Sequence, residues 1–362
     1  MKPSGGPLGF NLAELHAEIA GFQQQWESGI RGLAGMQEVK VGASERLAVW
    51  QQDKVTLYRF LAEGETADRP ARDPLLIVYA LVNRPWMVDL QQGRSLVQRL
   101  LALGHDVYVI DWGSPERSDR WLELGDYINR YIDGAVRHLC KASGQTGIDV
   151  LGVCQGGVFS LCYAALHPDR VRNLITMVTP VDFQTPDNLL GHWARAVDAD
   201  RLVEVLGNIP ADLMNLSYLM LKPFRLNLQK YIGLVDILHD RQAVEDFLRM
   251  EQWIFDSPDL AGAAFADFVR QFYRENGLVN GTVKIDGKTV DLSALTMPVL
   301  NVYAEQDHLV PPAAAKALRH LLPPEADYAE QAFAGGHIGI YVSSRAQREV
   351  PACLDSWLRA RR

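Results

Sequence analysis

A cysteine in a glycine frame is the residue of this sequence best suited to covalent chemistry. Residues 151–160 read LGVCQGGVFS, so Cys154 stands between Gly152 and Gly156 in the spacing G-x-C-x-G. A nucleophile on a strand-to-helix turn needs small residues two positions to either side, because the start of the helix crowds the strand. The positive end of the helix dipole would favour the thiolate. The frame alone also occurs by chance around packed cysteines, so partner residues must decide.

Two backbone amides are predicted to form an oxyanion hole beside this cysteine. The N–H of Gln155 follows the nucleophile directly and would face an incoming carbonyl group. The second donor is expected in the loop after an earlier strand, here ALVNRP at 80–85, which makes Val82 or Asn83 the candidate.

A carboxylate and a histidine follow the cysteine in the order that nucleophile-elbow enzymes use. Asp307 ends a predicted strand in AEQDHLVPP, and His337 follows another in FAGGHIG. His337 would accept the Cys154 proton, while Asp307 would orient the ring or serve a second role. Asp307 could instead cap a helix, and His308 competes as the base. We interpret His308 as a local support.

The other cysteines are interpreted as packing residues. Cys140, Cys162 and Cys353 form no C-x-x-C pair with each other or with Cys154, so neither a zinc site nor a redox motif is predicted. No metal is expected, and a reducing compartment fits this cysteine usage.

Composition and charge exclude some classes of protein. The chain has 362 residues, 48% hydrophobic and 22% charged, and a net charge of −8, which argues against a general nucleic-acid binder. The N-terminus lacks the apolar core of a signal peptide. The longest apolar run, at 74–82, is roughly half a membrane span. A soluble, cytoplasmic protein without a transmembrane segment is therefore expected.

Strand and helix patterns alternate over most of the chain. An amphipathic helix is predicted within 11–36 and an antiparallel strand pair within 40–61. Predicted strands then alternate with helical periodicity, and the first of them, at 75–80, is a continuous apolar run typical of a strand buried on both faces. The others lie at 106–113, 148–153, 172–180, 297–307 and 326–337. Such alternation predicts an α/β protein with a mostly parallel central sheet flanked by helices.

The alternation stops between 182 and 295, where helical patterns and aromatic residues dominate. We predict an α/β-hydrolase fold with a core of 37–181 and 296–362, an N-terminal helical segment of 1–36, and an inserted, mainly helical cap of 182–295. The cap would lie over the carboxyl edge of the sheet, where open α/β sheets bind ligands. Its aromatic side chains either pack a core or line an apolar substrate channel.

The chain resembles the polyhydroxyalkanoate synthases, and most of all the catalytic C subunit of the two-subunit, class III enzymes. The resemblance covers about residues 35–360. It is carried by GVCQGG, VYALVNRPWMVDLQ, VIDWG, TMVTPVDFQTPDNLL, RMEQWIFDSPD, QDHLVPP and GGHIGIYVS. It implies polymerisation of (R)-3-hydroxyacyl-CoA, typically 3-hydroxybutyryl-CoA, with release of CoA. By motif, Cys154 is the nucleophile, and Asp307 and His337 complete the triad.

The resemblance also implies partners. These are a non-catalytic E subunit, the hydroxyacyl-CoA substrate and the surface of a growing polyester granule, within an oligomer. The coenzyme A thioester is the substrate and no cofactor is implied. Basic residues considered for CoA binding are Arg84, Lys222 and Arg225. Two alternatives remain: a cysteine hydrolase of the dienelactone hydrolase type, and a catalytically silent granule-associated scaffold.

Overall fold

A computed structural model describes most of the chain. The described residues are 41–65, 73–221, 234 and 236–362. The predicted helical segment at 1–36 lies outside them.

An eight-stranded sheet forms the centre of the fold. Its strands, numbered in chain order, are β1 (Arg46–Gln52), β2 (Val55–Phe60), β3 (Pro74–Val78), β4 (Asp106–Asp111), β5 (Ile148–Val153), β6 (Val171–Met177), β7 (Val299–Ala304) and β8 (Tyr328–Phe333). They lie in the order β1-β2-β4-β3-β5-β6-β7-β8. β2 is antiparallel to both of its neighbours, and the remaining pairs are parallel. The predicted strand pair and the mostly parallel sheet are thus confirmed.

The central strands are buried because helices cover both faces. Every residue of β3 and β5 is buried, as their continuous apolar sequences predict. β3 and β5 are direct neighbours, and Val78 pairs with Gly152 in their register. This register brings the loop after β3 beside the turn that carries Cys154.

At least one helix follows each of the strands β3 to β8, as the predicted alternation of strands and helices requires. The helices are α1 (Leu96–Ala102), α2 (Asp133–Ser143), α3 (Gln155–Leu166), α4 (Leu189–Ala196), α5 (Ala199–Leu206), α6 (Ala211–Leu221), α7 (Arg241–Phe255), α8 (Gly262–Phe268), α9 (Gly277–Asn280), α10 (Pro312–Lys316), α11 (Gly339–Val342) and α12 (Ala346–Arg359). π-Helical turns precede α2 and follow α8, at Asp126–Ile132 and Val269–Arg274.

Shorter elements connect these helices and strands. Turns of 3₁₀ helix lie at Pro85–Val88, Arg117–Trp121, Pro168–Arg170, Leu292–Ala294 and Ala317–His320. Two small hairpins pair Asp89–Gln91 with Arg94–Ser95 and Lys284–Ile285 with Lys288–Thr289. Among the described residues, no helix has the length and apolar character needed to cross a bilayer.

The chain divides into two compact units. Val41–Asn215 and Asp256–Arg362 form the unit that contains the sheet, and Leu216–Phe255 belongs to the other. Helices α4, α5, α8 and α9, which lie between β6 and β7, therefore belong to the unit of the sheet.

Aromatic residues from this helical region pack onto the helix behind Cys154. Phe159 of α3 makes an edge contact with Phe268, at 6.0 Å between ring centroids. Phe268 in turn packs against Phe183 at 5.8 Å and Phe272 at 4.7 Å. All four side chains are buried, so these aromatic residues are core rather than channel lining.

Gly152 and Gly156 are required by close approaches of the backbone. A Cβ atom at Gly152 would lie 2.5 Å from the Cα of Gly157, at the start of α3. A Cβ at Gly156 would overlap the carbonyl oxygens that end β3, with that of Tyr79 at 2.6 Å. Gly152 thus makes room for the following helix, whereas Gly156 makes room for the neighbouring strand.

Gly156→Ala is expected to destabilise the fold. The obstructing atoms are backbone oxygens that cannot rotate away, so the free energy of unfolding should fall by about 1–3 kcal/mol or more. Gly339→Ala is the matched control, because nothing lies within 4 Å of the added methyl group. Thermal denaturation of both variants checks this, and equal midpoints would contradict the crowding argument.

Candidate active site

Cys154 occupies a strained turn between β5 and α3. Its φ is +54° and its ψ is −121°, a conformation that costs a non-glycine residue of order 1–3 kcal/mol and persists only where the surroundings enforce it. Its N–H donates to the Met177 carbonyl at 2.9 Å, and its own carbonyl accepts from the Gly157 N–H at 3.0 Å. The half-buried thiol therefore stands at the N-terminus of a long buried helix.

His337 and Asp307 form a buried pair beside it. Nδ1 of His337 lies 2.6 Å from Oδ2 of Asp307, and the two residues are only 7% and 6% exposed. The other carboxylate oxygen, Oδ1, accepts from the N–H groups of Leu309 at 2.8 Å and Val310 at 2.9 Å. Because the carboxylate can only accept, Nδ1 carries the proton and Nε2 is left for Cys154.

The His337 ring interacts with Cys154 as well as with Asp307. Burial lowers the pKa of His337, but the negative charges of Asp307 and Cys154 and their hydrogen bonds to the ring outweigh it and raise the pKa to about 10. A protonated ring at neutral pH is a cation beside the Cys154 sulfur, which is the kind of neighbour found at reactive cysteines. The structure thus places the three predicted catalytic side chains in one cluster, although Asp307 and His337 follow Cys154 from separate strands.

The predicted oxyanion loop is tied to the start of α3. The N–H of Leu81 donates to the side-chain oxygen of Gln155 at 3.0 Å. Leu81 is therefore occupied, and the next positions, Val82 and Asn83, remain the predicted donors together with the Gln155 N–H. This bond fixes the loop relative to the nucleophile.

His308 is half-buried, one residue beyond the carboxylate. Both oxygens of Asp307 are engaged elsewhere, one by His337 and the other by backbone amides, which supports His337 as the base. The supporting role of His308 stays a prediction. Among the described residues, no group of three or more His, Cys, Asp or Glu side chains is arranged to hold a metal ion.

Of the basic residues considered for CoA, only Arg84 is described; Lys222 and Arg225 lie outside the described residues. The Arg84 guanidinium donates to the Gly113 carbonyl at 3.1 Å and to the Ser114 hydroxyl at 2.6 Å. These bonds tie Arg84 to the loop at 113–114, and a role of Arg84 in CoA binding stays a prediction.

Two buried tyrosines near the cluster were not identified from the sequence. The Tyr341 ring meets the His337 ring edge-on at 6.2 Å and the Tyr79 ring at 6.4 Å. Burial is the main cause that raises the pKa of Tyr79, and the negative charge of Cys154 adds to it. Burial also raises the pKa of Tyr341, with smaller contributions from Tyr79 and Cys154. Tyr341 is only 1% exposed, and its buried hydroxyl meets no hydrogen-bond partner among the described residues. The spacing of four between His337 and Tyr341 was the available signal.

Cys154 is expected to be alkylated much faster than the other cysteines at pH 7. Burial raises the pKa of Cys140 and Cys353, and raises that of Cys162 to about 12, so these stay thiols. Cys154 has a histidine partner and the thiolate is the nucleophile. Limited iodoacetamide treatment followed by peptide mass spectrometry should find the label on Cys154. Equal labelling of Cys353 would refute the activation of Cys154 by His337.

His337 is expected to lose its proton at a lower pH in Cys154→Ala, because the charge and the hydrogen bond of the cysteine are gone. In the wild type, the folded pKa of about 10 lies above the ordinary 6.5. The imidazolium therefore stabilises the fold fully below pH 6.5, and this stabilisation is lost as the pH rises towards 10. NMR titration of the ring in both proteins measures the difference; identical pKa values would show that Cys154 does not act on the ring.

Comparison with known proteins first assigns the class. The family model of the alpha/beta hydrolase fold matches residues 73–343. A monoacylglycerol lipase from Paleococcus ferrophilus has a similar fold, with a TM-score of 0.52 and 15% identity over 81% of this chain and 97% of that one. An esterase from Thermogutta terrifontis has a TM-score of 0.51 and 17% identity over 88% of this chain and 99% of that one. The protein is an alpha/beta hydrolase by fold.

Relatives that align over nearly the full length then identify the family. The chain is 52% identical to the poly(3-hydroxyalkanoate) polymerase subunit PhaC of Allochromatium vinosum, over 98% of this chain and 99% of that one. It is 51% identical to the poly(3-hydroxyalkanoate) polymerase subunit PhaC of a Synechocystis species, over 97% of this chain and 94% of that one. The chain belongs to the family of poly(3-hydroxyalkanoate) polymerase subunits PhaC.

Proposed function

We propose that this chain is an acyltransferase that polymerises (R)-3-hydroxyacyl-CoA, with 3-hydroxybutyryl-CoA as the first substrate to test, into a polyester with release of CoA. The observation that carries the proposal is the Cys154, His337 and Asp307 cluster in a chain that is 52% identical to a named polymerase subunit. Solved lipases and esterases share the fold alone.

The first step is transfer of the acyl group to sulfur. The Cys154 thiolate attacks the thioester carbonyl, and the amides of Gln155 and of Val82 or Asn83 stabilise the oxyanion. The bond between the carbonyl carbon and the CoA sulfur then breaks, and the departing CoA sulfur takes the proton from His337. One thioester replaces another, so the acyl group stays activated. A serine ester would lose that activation.

Chain growth follows from the retained thioester. The 3-hydroxyl of a second hydroxyacyl-CoA attacks the acyl carbonyl on Cys154, an ester bond forms, and the cysteine leaves as a thiolate. The hydroxyl proton passes to the His337–Asp307 pair. The lengthened chain now ends in CoA and returns to Cys154 with release of free CoA, which closes the cycle.

The remaining proposals concern the surroundings of this site. A cap formed by 182–295 would exclude water, which competes with the attacking hydroxyl, and would open for CoA. The relatives are named as subunits, which supports a second, non-catalytic E subunit and an oligomeric assembly. The chain would work at the surface of a polyester granule in the cytoplasm, a proposal that the insolubility of the polyester product supports.

Incubation of the purified chain with 3-hydroxybutyryl-CoA, with and without an E subunit, tests the function. Insoluble polyester together with stoichiometric CoA is the expected result. Free 3-hydroxybutyrate as the product would instead show a cysteine hydrolase. Unreacted substrate in both reactions, with slow alkylation of Cys154, would show a silent scaffold.

A further inference from the structure

A chain of side-chain hydrogen bonds leads away from the predicted oxyanion loop. The Asn83 amide nitrogen, Nδ2, donates to the Ser257 hydroxyl at 2.7 Å. That hydroxyl donates in turn to the Asn215 amide oxygen, Oδ1, at 3.2 Å. Asn83 and Ser257 are half-buried and Asn215 is buried.

Asn215 and Ser257, the two residues of this network farthest from the oxyanion loop, lie in sequence on either side of segment 216–255, which belongs to the second unit. The polypeptide leaves the unit of the sheet after Asn215 and returns to it at Asp256. We call the two backbone segments at this point the neck: Ile209–Asn215 is its leaving side and Asp256–Leu260 its returning side. Ile209 and Leu260 exchange two backbone hydrogen bonds of 2.9 Å each. These bonds hold the two sides of the neck together.

The neck contacts the oxyanion loop at more than one position. Arg84, next to Asn83, lies 3.8 Å from the Asp256 carboxylate. Both loop residues therefore contact the returning side of the neck, and Asn83 is connected through Ser257 to Asn215 on the leaving side. Because the loop also donates to Gln155, the polar contacts run continuously from the neck to the first residue of α3.

The network has an unused donor at its end. The Asn215 amide nitrogen is buried and meets no hydrogen-bond partner among the described residues. A partly satisfied polar network is held less firmly than a complete one, so a small shift of the neck can exchange its bonds. The position of Asn83 then depends on where both sides of the neck lie.

We propose that Asn83 is a positioning residue for acyl transfer, an inference that rests on the proposed function. Its side chain, through Ser257 and Asn215, holds the oxyanion loop in register with both sides of the neck. The alignment of the oxyanion donor thus depends on the positions of both sides of the neck. A shift of about 1 Å at such a group can cost roughly 10²-fold in rate.

The test compares two reactions of the same sulfur in the full chain. p-Nitrophenyl acetate acetylates Cys154 with release of nitrophenolate and passes through an oxyanion, whereas alkylation by iodoacetamide does not. Asn83→Ala is expected to slow acetylation about 10–100-fold and to leave the alkylation rate within about twofold of the wild type. Ser257→Ala should slow acetylation similarly, and the double variant should be no slower than the slower single variant.

Ser293→Ala is the matched control, because it removes an exposed hydroxyl bonded only to its own turn at Asp291, and it should react like the wild type. Wild-type acetylation rates in Asn83→Ala would overturn the inference, as would acetylation and alkylation that fall together. A wild type that is acetylated on Cys154 but forms no polymer would refute the proposed function alone, since the comparison of the two reactions would still stand.

Discussion

Replacement of Cys154 by alanine is expected to abolish both CoA release and polymer formation. No other described side chain of the cluster can hold the acyl group, so the rate should fall by roughly 10⁴-fold or more. Cys154→Ser should leave at most a trace of activity, because a serine ester would lose the activation that the thioester keeps for attack by the next hydroxyl group. Thiol release from 3-hydroxybutyryl-CoA, followed with a disulfide reagent, measures the loss.

The control for this experiment is Cys353→Ser, which removes a half-buried thiol without touching the cluster. It should keep wild-type activity. Normal polymer from Cys154→Ala would refute the mechanism, whatever the relatives of the chain do.

Asp307→Asn is expected to lower the rate roughly 10²–10⁴-fold. The charge of Asp307 is the largest of the causes that raise the pKa of His337, so the amide should lower that pKa and leave the ring less often charged beside Cys154. Asp291→Asn is the matched control on an exposed turn. Single-turnover CoA release and steady-state polymer formation are the two measurements.

These measurements also separate two roles of Asp307. One oxygen contacts His337 and the other accepts from two backbone amides, so the structure supports an orienting role. We therefore expect the first CoA release and polymer growth to fall by the same factor. Normal first release with lost polymer growth would show instead that Asp307 activates the substrate hydroxyl.

The sheet and the catalytic cluster were largely predictable because both follow from rules of chain direction. Buried apolar runs identify parallel strands, and parallel strands present their following loops at one edge. Cys154, Asp307 and His337 each follow a parallel strand; the strands before Cys154 and Asp307 are buried, whereas β8, before His337, is an edge strand with exposed residues. Sequence order alone therefore placed them at one edge, although it did not fix the 2.6 Å contact between His337 and Asp307.

The parts that escaped prediction depend on packing distances. The Gln155 side chain on Leu81, the contact of Tyr79 with Tyr341 and the bonds of Asn83 to the neck join residues without a shared periodicity. The role of Gly156 also differs from the expected one, since its obstacle is the end of β3 rather than the following helix. The boundaries and the function of the 182–295 cap stay predictions.

The rigid setting of Cys154 has a consequence for how a polymer would leave the protein. The sulfur projects from a turn held between a buried strand and a buried helix. Cys154 therefore cannot move a tethered polymer chain from one site of the protein to another. After each addition the covalent anchor stays where it was, and the newly made ester must slide outward past it. Translocation would then be a motion of the product rather than of the enzyme.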